Sequence, residues 1–269
     1  MRSRFVARRE ADRASLYIWL DNYQLRQNGA PLSDNGQRRK AGEFCAFHRA
    51  EAPLVLPNIL DLGSAEVANR VALPVTADME AGYGNTAQEV SETVRLTIAA
   101  GAIGINFEDG FDHAAGTLLE RAAAIQRIAA ARAVAMESNI PFVINARTDF
   151  YFNLDAPEQE KLREAAERAN AYLEAGADCA FVIGVSTAEE IGILVCEIDG
   201  PLNVITSTDG LDINGLASLG VKIISLAGSL ACSVLCHLRG ALAELRDHDT
   251  LGFLDHNVPH GELNRLYGN

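Results

Sequence analysis

Residues 99–109 read AAGAIGINFED, and this stretch decides the fold of the chain. Gly101 is placed to end a helix, because glycine readily adopts the left-handed conformation that lets the last carbonyl groups find partners. An apolar run at 103–107 follows at once and leads into two acidic residues. A helix, a glycine, a buried strand and a polar end, in this order, are typical of a βα repeat with parallel strands.

The same order recurs later in the chain, as EAGADCAFVIG at 174–184 and as SLGVKIISLAG at 218–228. Capping boxes at Thr86, Thr117 and Thr187 mark helix starts, since a hydroxyl and a carboxylate three residues later satisfy each other's backbone donors. Apolar runs predict seven strands, at about 53–57, 73–77, 103–107, 141–146, 179–184, 202–206 and 222–227.

Strands and helices that alternate in this way form either a barrel or an open, doubly wound sheet. The dinucleotide-binding version of the open sheet carries a Gly-x-Gly-x-x-Gly turn after its first strand, and the sequence has no such turn there. Polar residues instead follow strand after strand, which is how a barrel assembles its site from many loops. We therefore predict an α/β fold of the (β/α)₈ TIM-barrel type, incomplete because only seven strands can be counted.

Composition and charge exclude several classes of protein. The 269 residues are 48% hydrophobic and 22% charged, and the formal net charge is −13. A chain this acidic argues against binding to nucleic acid, which needs clustered cations. No apolar run is long enough to span a membrane, and five scattered cysteines suit reduced thiols. We expect a cytoplasmic protein.

The first part of the chain differs from the rest. Residues 1–42 hold nine Lys or Arg against four Asp or Glu, so that residues 43–269 carry the whole negative excess. Residues 14–26 could form a short helix, and residues 27–42 contain the turn residues of a linker. We therefore divide the chain into an N-terminal extension and linker, 1–42, and a catalytic barrel domain, 43–269.

Acidic residues follow two strands that would be neighbours in the barrel. Asp78 and Glu80 come after the run at 73–77, where the strand period of two would point both the same way, and Glu108 ends the next strand. Three carboxylates at one mouth repel each other unless a cation lies between them, and hard oxygen ligands suit Mg²⁺ or Mn²⁺. The alternative is that each carboxylate caps the helix after its strand.

Arg147 lies at the end of a further strand, in the segment NARTD. An arginine at a barrel mouth can bind the carboxylate or phosphonate of a substrate with two hydrogen bonds. The alternative is a salt bridge to Asp149 or Glu108. An anionic substrate beside a metal ion would be consistent with the acidic residues.

Four segments resemble the isocitrate lyase/phosphoenolpyruvate mutase superfamily: LPNILDLGSA at 56–65, PVTADMEAGYGN at 74–85, GINFED at 104–109 and INARTD at 144–149. The resemblance extends over about residues 43–265. It implies a (β/α)₈ barrel, a homo-oligomer (dimer or tetramer), and an enzyme that cleaves or forms C–C or P–C bonds next to a 2-oxo acid.

The resemblance also implies roles for individual residues. Mg²⁺ or Mn²⁺, which stabilises an enolate, would be held by Asp78, Glu80 and Glu108. Arg147 and Glu108 would be catalytic, and the substrate would be bound by Asn58, Asp61 and Arg147. The substrate would be a small anion such as oxaloacetate, a phosphonopyruvate or a substituted malate.

The sequence departs from the superfamily at three places. Glu80 stands where many members have Asp, and the loop at 110–116 lacks the cysteine that serves isocitrate and methylisocitrate lyases as acid/base. The second strand and helix of the barrel are missing between Ala65 and the run at 73–77. Either the strands on the two sides of the gap pair directly, or the N-terminal segment fills it.

These departures leave the function open between two classes. The first is a Mg²⁺-dependent lyase, with phosphonopyruvate hydrolase or phosphoenolpyruvate mutase chemistry as a variant on the same metal. The second is a degenerate barrel with weak or no activity that serves as a subunit partner. We expect measurable Mg²⁺ binding and slow turnover of 2-oxo acids.

Overall fold

The computed structural model describes residues 18–20, 34–56, 58–59, 74–84, 86–112, 117–153, 156–206 and 210–267. The strands are β1 (Ile18–Leu20), β2 (Leu54–Leu56), β3 (Asn58–Ile59), β4 (Val75–Asp78), β5 (Gly104–Glu108), β6 (Gly110–Asp112), β7 (Thr117–Leu118), β8 (Val143–Thr148), β9 (Cys179–Val182), β10 (Leu202–Ile205) and β11 (Ile223–Ser225). The helices are α1 (Asp34–Phe47), α2 (Ala87–Ala99), α3 (Arg121–Glu137), α4 (Phe150–Asn153), α5 (Glu158–Glu174), α6 (Ala188–Glu197), α7 (Ile213–Leu219), α8 (Ser229–His248), a 3₁₀ helix (Gly252–His256) and α9 (His260–Tyr267).

The main sheet is parallel, and its strand order is β2-β11-β10-β9-β8-β5-β4-β1-β3. Only residue 57 separates β2 from β3, so the order begins and ends in the same stretch of chain. Helices of the α2 to α7 series connect the strands, which confirms the TIM-barrel type of fold. All seven strands expected from the apolar runs are present. Among the described residues, no helix is long and apolar enough to cross a membrane.

Strand β1 occupies the position that the missing strand and helix leave vacant. Trp19 pairs with Asn58 of β3 on one side and with Thr76 of β4 on the other. Of the two solutions to the gap that the sequence left open, the structure therefore has the N-terminal segment between the flanking strands. The expectation of a helix over 14–26 is wrong at 18–20, because the backbone there pairs with two neighbouring strands.

Helix α1 closes the amino-terminal end of the barrel. The side-chain amide of Gln37 donates to the carbonyl groups of Ile98 and Ala102, at 2.9 Å each, just before β5 begins. The thiol of Cys45 donates to the carbonyl of Pro141 at 3.2 Å, just before β8. Residues 34–42, expected to belong to a linker, are instead the first nine residues of this helix. Its contacts with the residues just before β5 and β8 hold it in place.

Side chains along each strand alternate between the barrel interior and the surrounding helices, as expected for this architecture. Val182 of β9 and Val204 of β10 face outward and pack in one apolar cluster with Ala165 of α5 and Leu194 of α6. The interior carries polar side chains instead, at positions two residues apart on β4, β5 and β8.

Local signals set most helix boundaries. The capping boxes at Thr86 and Thr187 are both formed, with the threonine oxygen accepting from the backbone of Glu89 and Glu190 respectively. The third expected box is not formed, because Thr117 lies in the short antiparallel pair β6–β7 and the helix begins only at Arg121.

Candidate active site at the carboxyl ends of the strands

Arg147 is the centre of the candidate site. Its Nε and Nη2 atoms donate to the two carboxylate oxygens of Asp149 at 2.5 and 3.1 Å, and Nη1 lies 2.9 Å from Oε2 of Glu108. Burial alone would lower the pKa of Arg147, but Asp149, Glu108 and Asp78 raise it above its ordinary value. The guanidinium is therefore a permanent cation among three carboxylates. The salt bridges considered as an alternative to substrate binding are both present.

The parallel register brings these groups to one end of the barrel. Glu108 is directly opposite Arg147 on the neighbouring strand, and Asp78 is opposite Asn106. Asp78 is half-buried, and its Oδ1 accepts from Nδ2 of Asn106 at 3.0 Å and from the backbone N–H of Glu80 at 3.2 Å. Glu108 thus contacts the guanidinium directly, and Asp78, on the adjacent strand, is close enough for its charge to raise the pKa of Arg147.

Glu80 does not continue the strand. Strand β4 ends at Asp78, and Glu80 is exposed in a turn with φ = +46°, outside the region in which alternate side chains share a face. The following turn is tight: Gly82 has φ = +92°, and a Cβ atom there would lie 2.3 Å from Phe107. The expectation that the strand period points Asp78 and Glu80 the same way is therefore wrong, because the strand ends at Asp78 and Glu80 already belongs to the turn.

The acidic residues differ in how well they suit a divalent cation. Within the described residues, no three His, Cys, Asp or Glu side chains form a group that could hold a metal ion. Mg²⁺ in enzymes commonly keeps several waters and needs only one or two carboxylates. Asp78 and Glu108 offer two such carboxylates, at the ends of adjacent strands. Glu80 lies beyond the end of β4 in the turn, and its role as a ligand stays a prediction.

Asn203 of β10 is a candidate that the sequence analysis missed. It is fully buried, and neither polar atom of its side-chain amide has a hydrogen-bond partner in the part of the chain that the structure describes. It is opposite Phe181, which is in turn opposite Arg147, so it lies at the same level of the barrel as the guanidinium. Buried amides are nearly always paired, and a polar residue in an otherwise apolar strand, PLNVI, was the available signal.

Asp109 anchors the site from behind. Its carboxylate accepts from Tyr172 Oη at 2.6 Å, Thr148 Oγ1 and the backbone of Asp149 at 2.8 Å each, and Arg168 Nη1 at 3.1 Å. Burial raises the pKa of Asp109, although these hydrogen bonds and the charge of Arg168 oppose the rise. The hydrogen bond from its backbone N–H to Asp109 holds Asp149 in place. Since Asp149 accepts two hydrogen bonds from Arg147, the cluster around Asp109 also helps to position the guanidinium.

Two expected substrate-binding residues are not covered by this geometry. Asn58 lies in β3, and its backbone pairs with Trp19, but its side chain lies outside the described part of the structure. Asp61 also lies outside the described residues. Their roles stay predictions.

Comparisons with known proteins agree on one family. The family model described as phosphoenolpyruvate phosphomutase matches residues 65–246. A 2-methylisocitrate lyase from Halalkalibacterium halodurans is 32% identical over 183 residues, which are 61% of this chain and 56% of the relative. An oxaloacetate decarboxylase from Rhodopseudomonas palustris (strain BisB5) is 30% identical over 187 residues, 67% of this chain and 62% of the relative. The chain thus matches less than two thirds of the length of these relatives.

Solved structures show the same architecture. A proposed lyase/mutase from Burkholderia cenocepacia J2315 superposes with a TM-score of 0.79 at 30% identity, covering 87% of this chain and 98% of that protein. An oxaloacetate acetylhydrolase in complex with 3,3-difluorooxalacetate gives a TM-score of 0.73 over 85% of this chain and 93% of that protein. The second likeness, at 21% identity, concerns the fold alone.

Proposed function

Because the chain belongs to the phosphoenolpyruvate phosphomutase family of lyases and mutases, we propose that it cleaves a C–C or P–C bond next to a small 2-oxo acid. The observation that carries this proposal is Arg147, only 15% of whose side chain is exposed, held between Glu108 and Asp149, with Asp78 at the end of the neighbouring strand β4. A cation and hard oxygen donors at one mouth suit an anionic substrate that forms an enolate.

A divalent ion, Mg²⁺ or Mn²⁺, belongs to this proposal. Asp78 and Glu108 would hold it, with Glu80 reaching the site only through a water or a movement of its turn. When bound, such an ion stabilises negative charge on an enolate oxygen. The chain's own contribution is to hold both carboxylates on adjacent strands of a rigid sheet.

Arg147 and Asn203 would bind the substrate. Asp149 takes two N–H groups of Arg147 and Glu108 takes a third, out of the five that a guanidinium carries. Asp149 thereby sets the plane of the guanidinium, which we expect to bind a substrate carboxylate. The amide of Asn203, buried without a partner among the described residues, would donate to or accept from the same ligand. Asn58 and Asp61 would complete the pocket from the first strand.

The relatives bear on the substrate class only. The names 2-methylisocitrate lyase and oxaloacetate decarboxylase belong to enzymes of small organic acids, and we propose oxaloacetate, a phosphonopyruvate or a substituted malate for this chain. Phosphonopyruvate hydrolysis or mutase chemistry would use the same groups. The loop at 110–116 offers no cysteine as acid/base, so we expect slow turnover.

A non-catalytic barrel that serves as a subunit partner is the second candidate, and it would use the exposed face of α8 as its contact surface. None of the residues of α8 is buried, and an apolar stripe runs along it at helical spacing. This stripe consists of Leu230, Val234, Leu238, Leu242 and Leu245. We propose that, whether or not the barrel is catalytic, this stripe packs against other copies in a homo-oligomer, a dimer or tetramer.

We also propose a cytoplasmic location, since all five cysteines are free thiols.

Thermal unfolding with Mg²⁺ and oxalate, which mimics an enolate, tests the proposal. A ligand that prefers the native state stabilises it by about 2.7 kcal/mol at a hundred times its Kd. We expect a rise in Tm with both ligands together, lost in Asp78→Asn and kept in Asp212→Asn, whose exposed carboxylate caps α7. No rise in the unmodified protein would favour the non-catalytic candidate.

A further inference from the structure

Four interior side chains on neighbouring strands are joined end to end by hydrogen bonds. Cys179 Sγ lies 2.7 Å from Oδ1 of Asn145, and Nδ2 of Asn145 lies 3.2 Å from Oδ1 of Asn106. Nδ2 of Asn106 then donates to Oδ1 of Asp78 at 3.0 Å. The strand register places these residues directly opposite one another, on β9, β8, β5 and β4. They therefore form one layer across the inside of the sheet.

All the hydrogen bonds of this layer run in the same direction. Burial raises the pKa of Cys179 well above its ordinary value, with a further rise from Asp178, so the group remains a thiol and donates its proton. The carbonyl oxygen of Asn145 accepts that proton, and both amides consequently turn their NH₂ groups toward β4. A donor at one end and a carboxylate at the other fix the orientation of two amides that could otherwise flip.

Burial makes this order costly to disturb. Cys179, Asn106 and Asn145 are all buried, and a buried polar atom without a partner costs about 1–3 kcal/mol. If Asn106 flipped, its carbonyl oxygen would face the carboxylate of Asp78, which can only accept when ionised. The Oδ1 of Asp78 is also held by the N–H of Glu80. Two donors therefore restrain Asp78: the backbone N–H of Glu80 in the turn and the side-chain amide of Asn106 in the layer.

We propose that Cys179, Asn145 and Asn106 are positioning residues that orient the carboxylate of Asp78 for a divalent cation. This inference rests on the proposed function, which makes Asp78 a ligand. The three residues act through Asp78 and touch neither ion nor substrate. Removing a residue that hydrogen-bonds to a metal ligand typically lowers the metal affinity by roughly ten- to a hundredfold.

Mg²⁺ titration calorimetry on folded, full-length variants is the first test. Asn106→Leu removes the donor to Asp78 and should weaken Mg²⁺ binding by about 10- to 100-fold. Cys179→Ala removes the far end of the layer and should weaken it by about two- to tenfold, since members of one network couple. Cys179→Ser keeps a donor and should restore affinity. Val182→Ala is the matched control, because Val182 is a buried residue of the same strand that faces the helices.

Side-chain amide signals in NMR spectra of the metal-free protein are the second test. Cys179→Ala should shift the NH₂ resonances of Asn145 and also those of Asn106, whereas Val182→Ala should leave both in place. A purely structural role would lower stability in all variants alike without this pattern.

The two tests separate failure of the proposal from failure of the proposed function. Unchanged Mg²⁺ affinity in both Asn106→Leu and Cys179→Ala would overturn the positioning role. If the unmodified chain binds no Mg²⁺, the proposed metal function is refuted and the proposal, which rests on it, is overturned as well. If Cys179→Ala leaves the side-chain amide resonances of Asn106 unchanged, the directed hydrogen-bond layer is overturned, independently of the result for Mg²⁺ binding.

Discussion

Asp109→Asn should destabilise the protein strongly, although Asp109 lies outside the proposed ligands. The carboxylate accepts four hydrogen bonds, of which Asp149 N–H binds one oxygen and Thr148, Tyr172 and Arg168 bind the other. An asparagine has only one acceptor oxygen. In either orientation its NH₂ group faces a donor that cannot reverse, the backbone N–H or the guanidinium.

The expected cost can be worked out from the partners. Removing one member of a buried ion pair costs about 3–5 kcal/mol, because the other charge stays buried. Arg168 keeps a second partner, Glu164, at 3.0 Å, which favours the lower end. The donor facing the new NH₂ group adds about 1 kcal/mol. We expect a loss of about 4 kcal/mol, a large part of the roughly 5–15 kcal/mol that stabilises a typical domain.

Urea unfolding followed by circular dichroism, at equal slope for both proteins, measures this loss. Asp212→Asn is the matched control: the same chemical change at an exposed N-cap, where Asn and Asp are equivalent, should stay within about 0.5 kcal/mol. A loss below about 1 kcal/mol in Asp109→Asn would refute the reasoning. It would mean that Asp109 is already protonated in the folded protein, in keeping with the direction in which burial moves its pKa.

Three further predictions concern other parts of the chain. Asn203→Leu should raise the free energy of unfolding by about 1–3 kcal/mol, since it removes an unpaired buried amide, yet weaken oxalate binding; a loss of stability in urea would show that the amide has a partner. Leu20→Pro should detach β1, because that strand is paired on both sides and proline cannot donate to the sheet. The backbone amides at 18–19 should then exchange with solvent much faster in hydrogen–deuterium exchange, and unchanged protection would contradict the pairing. Leu238→Glu, at the centre of the exposed stripe on α8, should reduce the assembly to a smaller species in size-exclusion chromatography if another copy covers this face; an unchanged elution volume would argue for a bare helix.

The barrel strands could be predicted from sequence because their signals are local. A helix that ends on Gly101, Gly176 or Gly220 and runs into an apolar stretch needs no distant information, and all three glycines have positive φ. The capping boxes at Thr86 and Thr187 are similarly local. Such signals set the ends of helices whatever the rest of the chain does.

Strand β1 could not be predicted in the same way. Its extended backbone depends on pairing with β3 and β4, which lie far along the chain, and three residues carry too weak a pattern to compete with a helical reading. Tertiary contacts decide its conformation.

The candidate site was predictable in its residue types and less so in its geometry. Glu108 and Arg147 end neighbouring strands as expected, and their ion pair was one of the alternatives. The left-handed turn at Glu80 was not foreseen, because a strand period says nothing about where the strand stops. Asn106 and Asn145 were passed over because single polar residues within apolar runs draw little weight, although they face the barrel interior.

The place of β1 in the sheet has a consequence for how the polypeptide is assembled. This strand leaves the ribosome before either of the strands that flank it, so its pairing with both neighbours is complete only after β4 has been made. Pairing it is a late, long-range event, which slows folding and exposes the nascent chain to self-association. Fusion partners for expression are therefore better attached after Tyr267 than ahead of Ile18. A bulky domain ahead of Ile18 would hinder the pairing of β1 with β3 and β4.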